Sequence, residues 1–442
     1  MHMAHAASLG DAVFSAMLNS SSRKAAMASI EAQSNMIAIA QSDRRPQVDV
    51  FGEAALERVD NPSSLSVADN NDTKLGAVVG IDVTFNMLDG MRTTNSIYRE
   101  ATLLDAEIIR LSDATETLAL NAVQAYIDVV RHRQIVAASH DNVHQHQRIV
   151  GQVNEQVRAG KLSDADRFRA NDKLLAAKLA KSEADGQLAD AVSQYHAIIG
   201  LAPKGKMSIS GRLKLPKSSA ALEKTAVTNS FQLQLAQTDI QAQDYQGKID
   251  QSQWKPRLDA FVGASVGEDR DGSSGSESEV AAGLRLNWTV YKGGAKKATE
   301  ARNHDLQMRA HYRKKQVENE VRDFARRVWN SYSAAHKRKH LLDQSVSTNV
   351  RIVSAFRQEF EAAKRPLLQV LDAERALFNI KIRRINANAA VAYQGYRMLA
   401  AQNTLSDHFG LARSGSALAP DYERRAKAQP MGDFDISAPP LD

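Results

Sequence analysis

Val79-Gly80-Ile81-Asp82-Val83-Thr84-Phe85-Asn86-Met87 alternates without a break: every odd position is large and apolar, and the even ones are Gly80, Asp82, Thr84 and Asn86. A strand has a side-chain period of two, so this stretch is greasy on one face and wet on the other. Ala282-Gly283-Leu284-Arg285-Leu286-Asn287-Trp288-Thr289-Val290 repeats the pattern, with Gly283, Arg285, Asn287 and Thr289 on the second face. Two further segments behave alike. Leu258, Ala260, Val262, Ala264 and Val266 stand opposite Asp259, Ser265 and two glycines, and Val48, Val50, Ala54 and Leu56 face away from Asp49, Glu53 and Glu57. A soluble sheet half-buried under helices alternates in the same way. Each of these segments, however, runs about ten residues or more, the length a tilted strand needs to cross a bilayer.

The strands belong to a duplicated unit. Gly80-Ile81-Asp82-Val83 aligns with Gly283-Leu284-Arg285-Leu286, Gly90 with Gly293, Arg148-Ile149-Val150 with Arg351-Ile352-Val353, and Ala170 with Ala373, always 203 residues apart. The preceding strand repeats at a spacing of 210, Pro46-Gln47-Val48-Asp49-Val50-Phe51 against Pro256-Arg257-Leu258-Asp259-Ala260-Phe261, so only the loop between the paired strands changed length. Each unit reads helix, two strands, two helices.

From Gly90 to about Val157, and from Gly294 to about Glu361, the sequence holds no helix breaker. At 1.5 Å per residue each helix is on the order of 100 Å long, more than a compact domain can house. The first repeat, 10–210, is expected to hold a helix from about Ser8 to Ser42, strands at about 47–59 and 75–88, a long helix at about 91–157 and a return helix at about 163–199. The second, 211–410, holds a helix over Ala220–Gln253, strands at about 257–268 and 279–291, a long helix at about 294–361 and a return helix at about 366–405. The polar stretches Asn61–Thr73 and Glu268–Ser278 are the loops between paired strands. Residues 1–9, with Ala4-His5-Ala6, are expected to be a signal remnant, and the Pro- and Ser-rich tail 411–442 to be disordered or draped on a surface.

Composition narrows the function. Aromatic residues make up only 6% of the 442, which suits long amphipathic helices better than a thick globular core. Cysteine is absent, so there is no disulfide framework, thiol nucleophile or cysteine metal site. The net charge of +6 is too mild to argue for nucleic acid. His336-Lys337-Arg338-Lys339-His340 lacks interleaved aromatics and reads as an exposed helix face. His140 with His144 and His336 with His340 have helical metal-chelating spacing but no carboxylate at ligand distance in sequence, so no metal or cofactor is expected. No phosphate loop, nucleophile elbow or metalloprotease helix occurs, and no enzyme is expected.

Four strands cannot close a barrel, and lipid does not permit open sheet edges. Several chains must therefore share one barrel: two give eight strands and a filled interior, three give twelve and a lumen, which the polar inner faces favour. The order helix, strand pair, long helix, tip turn, return helix, given twice, resembles the TolC family of outer-membrane efflux and secretion channels. The resemblance is carried by Ala125-Tyr126-Ile127-Asp128-Val129-Val130, Val328-Trp329-Asn330-Ser331-Tyr332, Arg158-Ala159-Gly160-Lys161-Leu162-Ser163-Asp164 and Gln369-Val370-Leu371-Asp372-Ala373-Glu374-Arg375-Ala376-Leu377-Phe378-Asn379, and spans about residues 8 to 410. It implies an α+β membrane protein: a homotrimer with a twelve-stranded outer-membrane barrel in lipid, continued by a long periplasmic helical barrel. It further implies a periplasmic adaptor and an inner-membrane efflux pump or ABC exporter as partners. The rival reading is a soluble periplasmic coiled-coil structural or adaptor protein without a pore.

The resemblance also points to a gate at the periplasmic tips. In the family an aspartate before the first-tip glycine interacts with a tyrosine and an arginine at the second tip. Here Arg365 matches the arginine, Phe360 stands at the tyrosine position and Arg158 at the aspartate position, so those links cannot form in the family manner. Asp372 matches one of two entrance aspartates and Gln369 replaces the other, while Asp166 is the repeat mate of Gln369. Asp372 with Asp166 is the expected acidic constriction, because carboxylate rings select cations. The adaptor-facing turns are Gly160 and Lys161 at the first tip and Ala363, Lys364 and Pro366 at the second, where Ala363 departs from the family glycine.

Overall fold

A computed structural model describes residues 8–58, 73–209, 213–269, 275–362 and 364–411. The first unit comprises α1 (Leu9–Asn19), α2 (Ser21–Ser42), β1 (Gln47–Arg58), β2 (Thr73–Leu88), α3 (Arg92–Arg158) and α4 (Asp164–Ile199). The second comprises α5 (Ser219–Asn229), α6 (Phe231–Ser252), β3 (Arg257–Glu268), β4 (Ser276–Asn287), α7 (Ala295–Glu361) and α8 (Leu367–Ala401), followed by a short α9 (Leu405–His408).

The single helix expected at the start of each unit is two. Ser20 and Ser230, 210 residues apart, adopt the same extended backbone (φ −66°, ψ 117° and φ −63°, ψ 116°). Each hydroxyl accepts the amide of the third residue on, Arg23 or Leu233, at 3.2 Å. A side-chain cap of this kind satisfies an orphan donor and restarts the helix at a new angle. The break lets α1 pack on α3 and α4, and α5 on α7 and α8, while α2 and α6 run on to the strands.

The long helices α3 and α7 are each 67 residues, about 100 Å at 1.5 Å per residue. Both start from a left-handed residue, Met91 (φ 73°) and Gly294 (φ 80°). The return helix α4 buries Ala170, Ala177, Ala184 and Ala191, one alanine per heptad. That seven-residue spacing keeps a small-residue seam turned to α3 along its whole length, as in a left-handed coiled coil. Its other face leaves Phe168, Leu175 and Leu179 exposed. The largest apolar cluster lies midway, where Val123, Tyr126, Val129 and Val130 of α3 meet Val13 and Met17 of α1, Tyr195 and Ile199 of α4, and Leu399 of α8. There the guanidinium of Arg133 donates to the carbonyls of Pro203 (3.0 Å) and Gly205 (2.8 Å), tying the strap between the repeats to α3.

The strands form one antiparallel sheet in the order β1-β2-β3-β4. No helix packs along either face of it among the described residues. Its apolar face carries Val50, Leu56, Leu75, Val79, Val280 and Leu284, all largely exposed, with Val280 at 80%. The register puts Phe51 beside Gly80 and Phe261 beside Gly283 on the opposite, polar face, the same pairing in both repeats. Each ring lies over its glycine: a Cβ on Gly80 would stand 2.5 Å from Phe51 Cζ, and one on Gly283 3.1 Å from Phe261 Cζ. Aromatic cover of this sort supplies the packing a strand glycine lacks.

β4 stops at Asn287, short of the expected end at about 291. The reason is Pro256: the β3 ladder starts with Arg257 opposite Asn287, and proline has no N–H to extend it. Trp288 instead donates its indole N–H to the Trp254 carbonyl at 3.1 Å. The N-terminal seven residues, the tail from 412 and most of both interstrand loops lie outside the described residues, though Thr73 and Ser276–Ser278, read as loop, are strand.

Gly80→Val is expected to destabilise the sheet by about 1–3 kcal/mol through overpacking. Adding Phe51→Ala should recover part of that loss, because the two positions share one contact. The stability of the detergent-extracted assembly to heat measures both, and equal stability of Gly80→Val and the unsubstituted chain would refute the packing argument.

Candidate functional site

The two helical turns form the end of the molecule remote from the sheet. At the first, Gly160 takes φ 70°, and the amides of Gly160 and Lys161 close the end of α3 on the carbonyls of Val157 (2.9 Å) and Gln156 (2.8 Å). Arg158 turns back on its own helix, its Nε donating to the Asn154 carbonyl at 3.3 Å. Ser163 then starts α4 with a reciprocal cap: its hydroxyl accepts the Asp166 amide at 3.3 Å, and Asp166 Oδ2 accepts the Ser163 hydroxyl at 2.8 Å and its amide at 3.3 Å. The Asp166 carboxylate is thereby committed to a helix start, with Arg169 3.6 Å from its other oxygen.

At the second turn Ala363 falls outside the described residues. The Lys364 amide donates to the Glu359 carbonyl at 2.8 Å, and Pro366, extended at ψ 142°, stands immediately before α8. Arg365 is held three ways on its own turn. Its guanidinium lies 3.6 Å over the Phe356 ring, its Nε pairs with Glu359 at 2.5 Å, and it donates to Gln369. Phe360 is buried against Ile149, Val153, Ala170, Leu367, Val370 and Leu371, so the hairpins meet through apolar contact at this position. Asp372 is half exposed, 3.8 Å from Arg375 one turn on.

The tip's strongest polar joint is one the sequence reading missed. Glu374 is 4% exposed and accepts from Arg357 Nε at 2.5 Å, while Arg357 Nη2 reaches Gln145 at 3.0 Å. One guanidinium thus joins α7 to α8 and to α3. The signal was present: Glu374 interrupts the buried row Leu367, Val370, Leu371 and Leu377, and an acid on a buried helix stripe needs an internal partner. Arg365, Phe360 and Phe356 sit on the same second turn, whereas Arg158 and Asp166 stay on the first.

Fold and tip together define a class. A sheet whose apolar face is covered by no helix and whose two edge strands are unpaired among the described residues, joined to helices of about 100 Å, is the subunit of an outer-membrane channel that reaches into the periplasm. The soluble coiled-coil alternative needs that face buried, and it is not. Among the described residues no helix is long and apolar enough to cross a membrane.

Comparisons with known proteins agree. The sequence profile described as "Outer membrane efflux protein" matches residues 222–404. The outer membrane efflux protein BepC of Brucella suis is 24% identical over 414 residues, covering 91% of this chain and 87% of BepC. A membrane protein from Pseudomonas aeruginosa superposes with a TM-score of 0.76 at 14% identity, over 89% of this chain and 90% of its own. The open state of the MtrE outer membrane channel of Neisseria gonorrhoeae gives 0.74 at 14% identity, over 92% and 90%. Residues 222–404 thus match the outer membrane efflux proteins, the chain resembles BepC over most of its length, and its function is that of an outer-membrane channel for tripartite export.

His146 on α3 supplies a pH test of the tip region. It is 4% exposed, and burial first, then the positive charges of Lys173 on α4 and Arg357 on α7, hold its imidazole below the ordinary 6.5. A depressed value means the fold prefers the neutral ring, so its contribution is whole above 6.5 and is lost as pH falls through the folded-state value. Amide protection near His146, corrected for the intrinsic slowing of exchange in acid, should fall as the pH drops below about 6.5, and His146→Gln should flatten that change. An identical pH response in the variant would count against the assignment.

Proposed function

We propose that three copies of this chain close a twelve-stranded barrel and pass cargo delivered by a periplasmic adaptor and an inner-membrane efflux pump or ABC exporter to the outside. The observation that carries the reading is the pair of unpaired edges, β1 and β4, flanking an uncovered apolar face. In lipid each edge must meet the opposite edge of another copy, and a polar inner face calls for the wider ring. The exposed Phe168, Leu175 and Leu179 on α4 extend the intersubunit contact down the helices.

The chain supplies a conduit and no energy. Its tips are the gate and the adaptor-docking rim, formed by Gly160 and Lys161 on one turn and by Ala363, Lys364 and Pro366 on the other. Three Asp372 carboxylates ring the entrance, with Asp166 on the neighbouring turn. Because Arg365 bonds to Glu359 and Gln369 within its own turn, the closed tip is fastened by Phe360 packing and the Arg357 joint in place of the family's aspartate links. Opening exchanges these contacts for others, the two-state element that a switch requires.

Deleting the chain and measuring both dye or antibiotic accumulation and secreted protein assigns the cargo class. Retention of the dye with normal secretion marks small-molecule efflux; lost secretion with normal dye efflux marks protein export. Extraction by salt or carbonate without detergent would refute the membrane reading. Asp372→Ala should reduce cation preference in planar bilayers, and unchanged selectivity would remove Asp372 from the constriction.

Arg357→Met should raise the open probability by exposing Glu374 to an unpaired, buried state that costs about 1–3 kcal/mol. Single-channel recording reads this directly, and an unaltered open fraction would deny the joint a part in gating.

A further inference from the structure

The strand register sorts every charge on the polar face into levels. One level reads Glu53, Val78, Gly267 and Glu277; the next Phe51, Gly80, Ser265 and Glu279; the next Asp49, Asp82, Gly263 and Ala281; and below it Gln47, Thr84, Phe261 and Gly283. Positive side chains lie only beyond these levels. Lys74 faces Glu57 toward the loop end. At the helix end Arg257 pairs with Asp259 at 2.9 Å and Arg285 stacks 4.9 Å over Phe261.

Glu53, Glu277, Glu279, Asp49 and Asp82 form no ion pair among the described residues. Asp49 takes only the Gln47 amide, at 3.0 and 3.1 Å. Asp49 and Asp82 are direct cross-strand partners, a like-charge pairing that costs stability in an ordinary sheet. Asp82 lies across Gly263, where a Cβ would stand 2.5 Å from its Oδ1, so a glycine makes room for the carboxylate on the wall.

We propose that this stretch of barrel wall, in addition to the tip, sets the charge selectivity of the channel in favour of cations, with Asp49, Asp82, Glu53, Glu277 and Glu279 as its specificity-determining residues. The inference rests on the trimeric channel reading, which places this face on the lumen. Successive levels are two residues apart, about 6.8 Å along a strand. That is less than the Debye length of about 8 Å at physiological salt, so the three acidic levels act as one field. Spread in this way the carboxylates coordinate no single ion; they raise the local concentration of cationic cargo and repel anionic cargo all around the wall.

The test is the reversal potential of the purified assembly in planar bilayers under a potassium chloride gradient. Two isosteric sets, Asp49→Asn with Asp82→Asn, and Glu53→Gln with Glu277→Gln and Glu279→Gln, should each lower the potassium-to-chloride permeability ratio, and together by about tenfold. Asp372→Ala should leave the barrel's share in place. Discrete current steps from each set show that the barrel still closes, and either set alone suffices if the combination does not assemble. A ratio unchanged in both sets, with the whole preference lost in Asp372→Ala, would overturn the inference. Absence of current steps from the unsubstituted chain would overturn the channel reading on which it rests.

Discussion

Unpaired backbone at a sheet edge decides this molecule. β1 and β4 each offer a row of amides and carbonyls that no other strand among the described residues pairs with. In water such an edge invites aggregation; in hydrocarbon it is forbidden. The exposed apolar face sends the sheet to lipid, and the edges then demand other copies. Export function follows from that demand, because a closed ring of four-stranded contributions with a polar inside is a conduit.

Legibility in the sequence differed sharply between the sheet and the tip. The alternation in Val79–Met87 and in Leu258–Val266 survives any context, since each residue answers to only one of two faces, and the α+β channel fold was readable from it. The end of β4 was misread because Trp288 and Val290 keep the alternation after Pro256 has removed the partner strand. The breaks at Ser20 and Ser230 were also missed, although both follow an asparagine and both offer a capping hydroxyl. A serine of this kind inside a helical pattern is neutral by propensity and decisive by geometry.

The tip resisted for a different reason. Arg365 and Glu359, or Arg357 with Gln145 and Glu374, are brought together by hairpin packing across as many as 212 positions. No periodicity encodes which of several arginines will meet which acid. What the sequence does encode is the misfit, Glu374 on an apolar stripe, and the fold resolves it with a guanidinium from the neighbouring helix. The duplication adds a second lesson: Phe51 over Gly80 and Phe261 over Gly283 persist in both units, whereas the two turns at the far end have diverged.

The equal length of α3 and α7, 67 residues each, makes the pair a matched set of struts. An insertion in one strut alone would tilt the rim by about 1.5 Å per residue and leave its return helix out of step. The alanine seam of α4 tightens the restriction, since only additions of whole heptads keep small residues against the neighbour. The reach of the first hairpin is therefore a quantised property, adjustable in sevens and otherwise frozen.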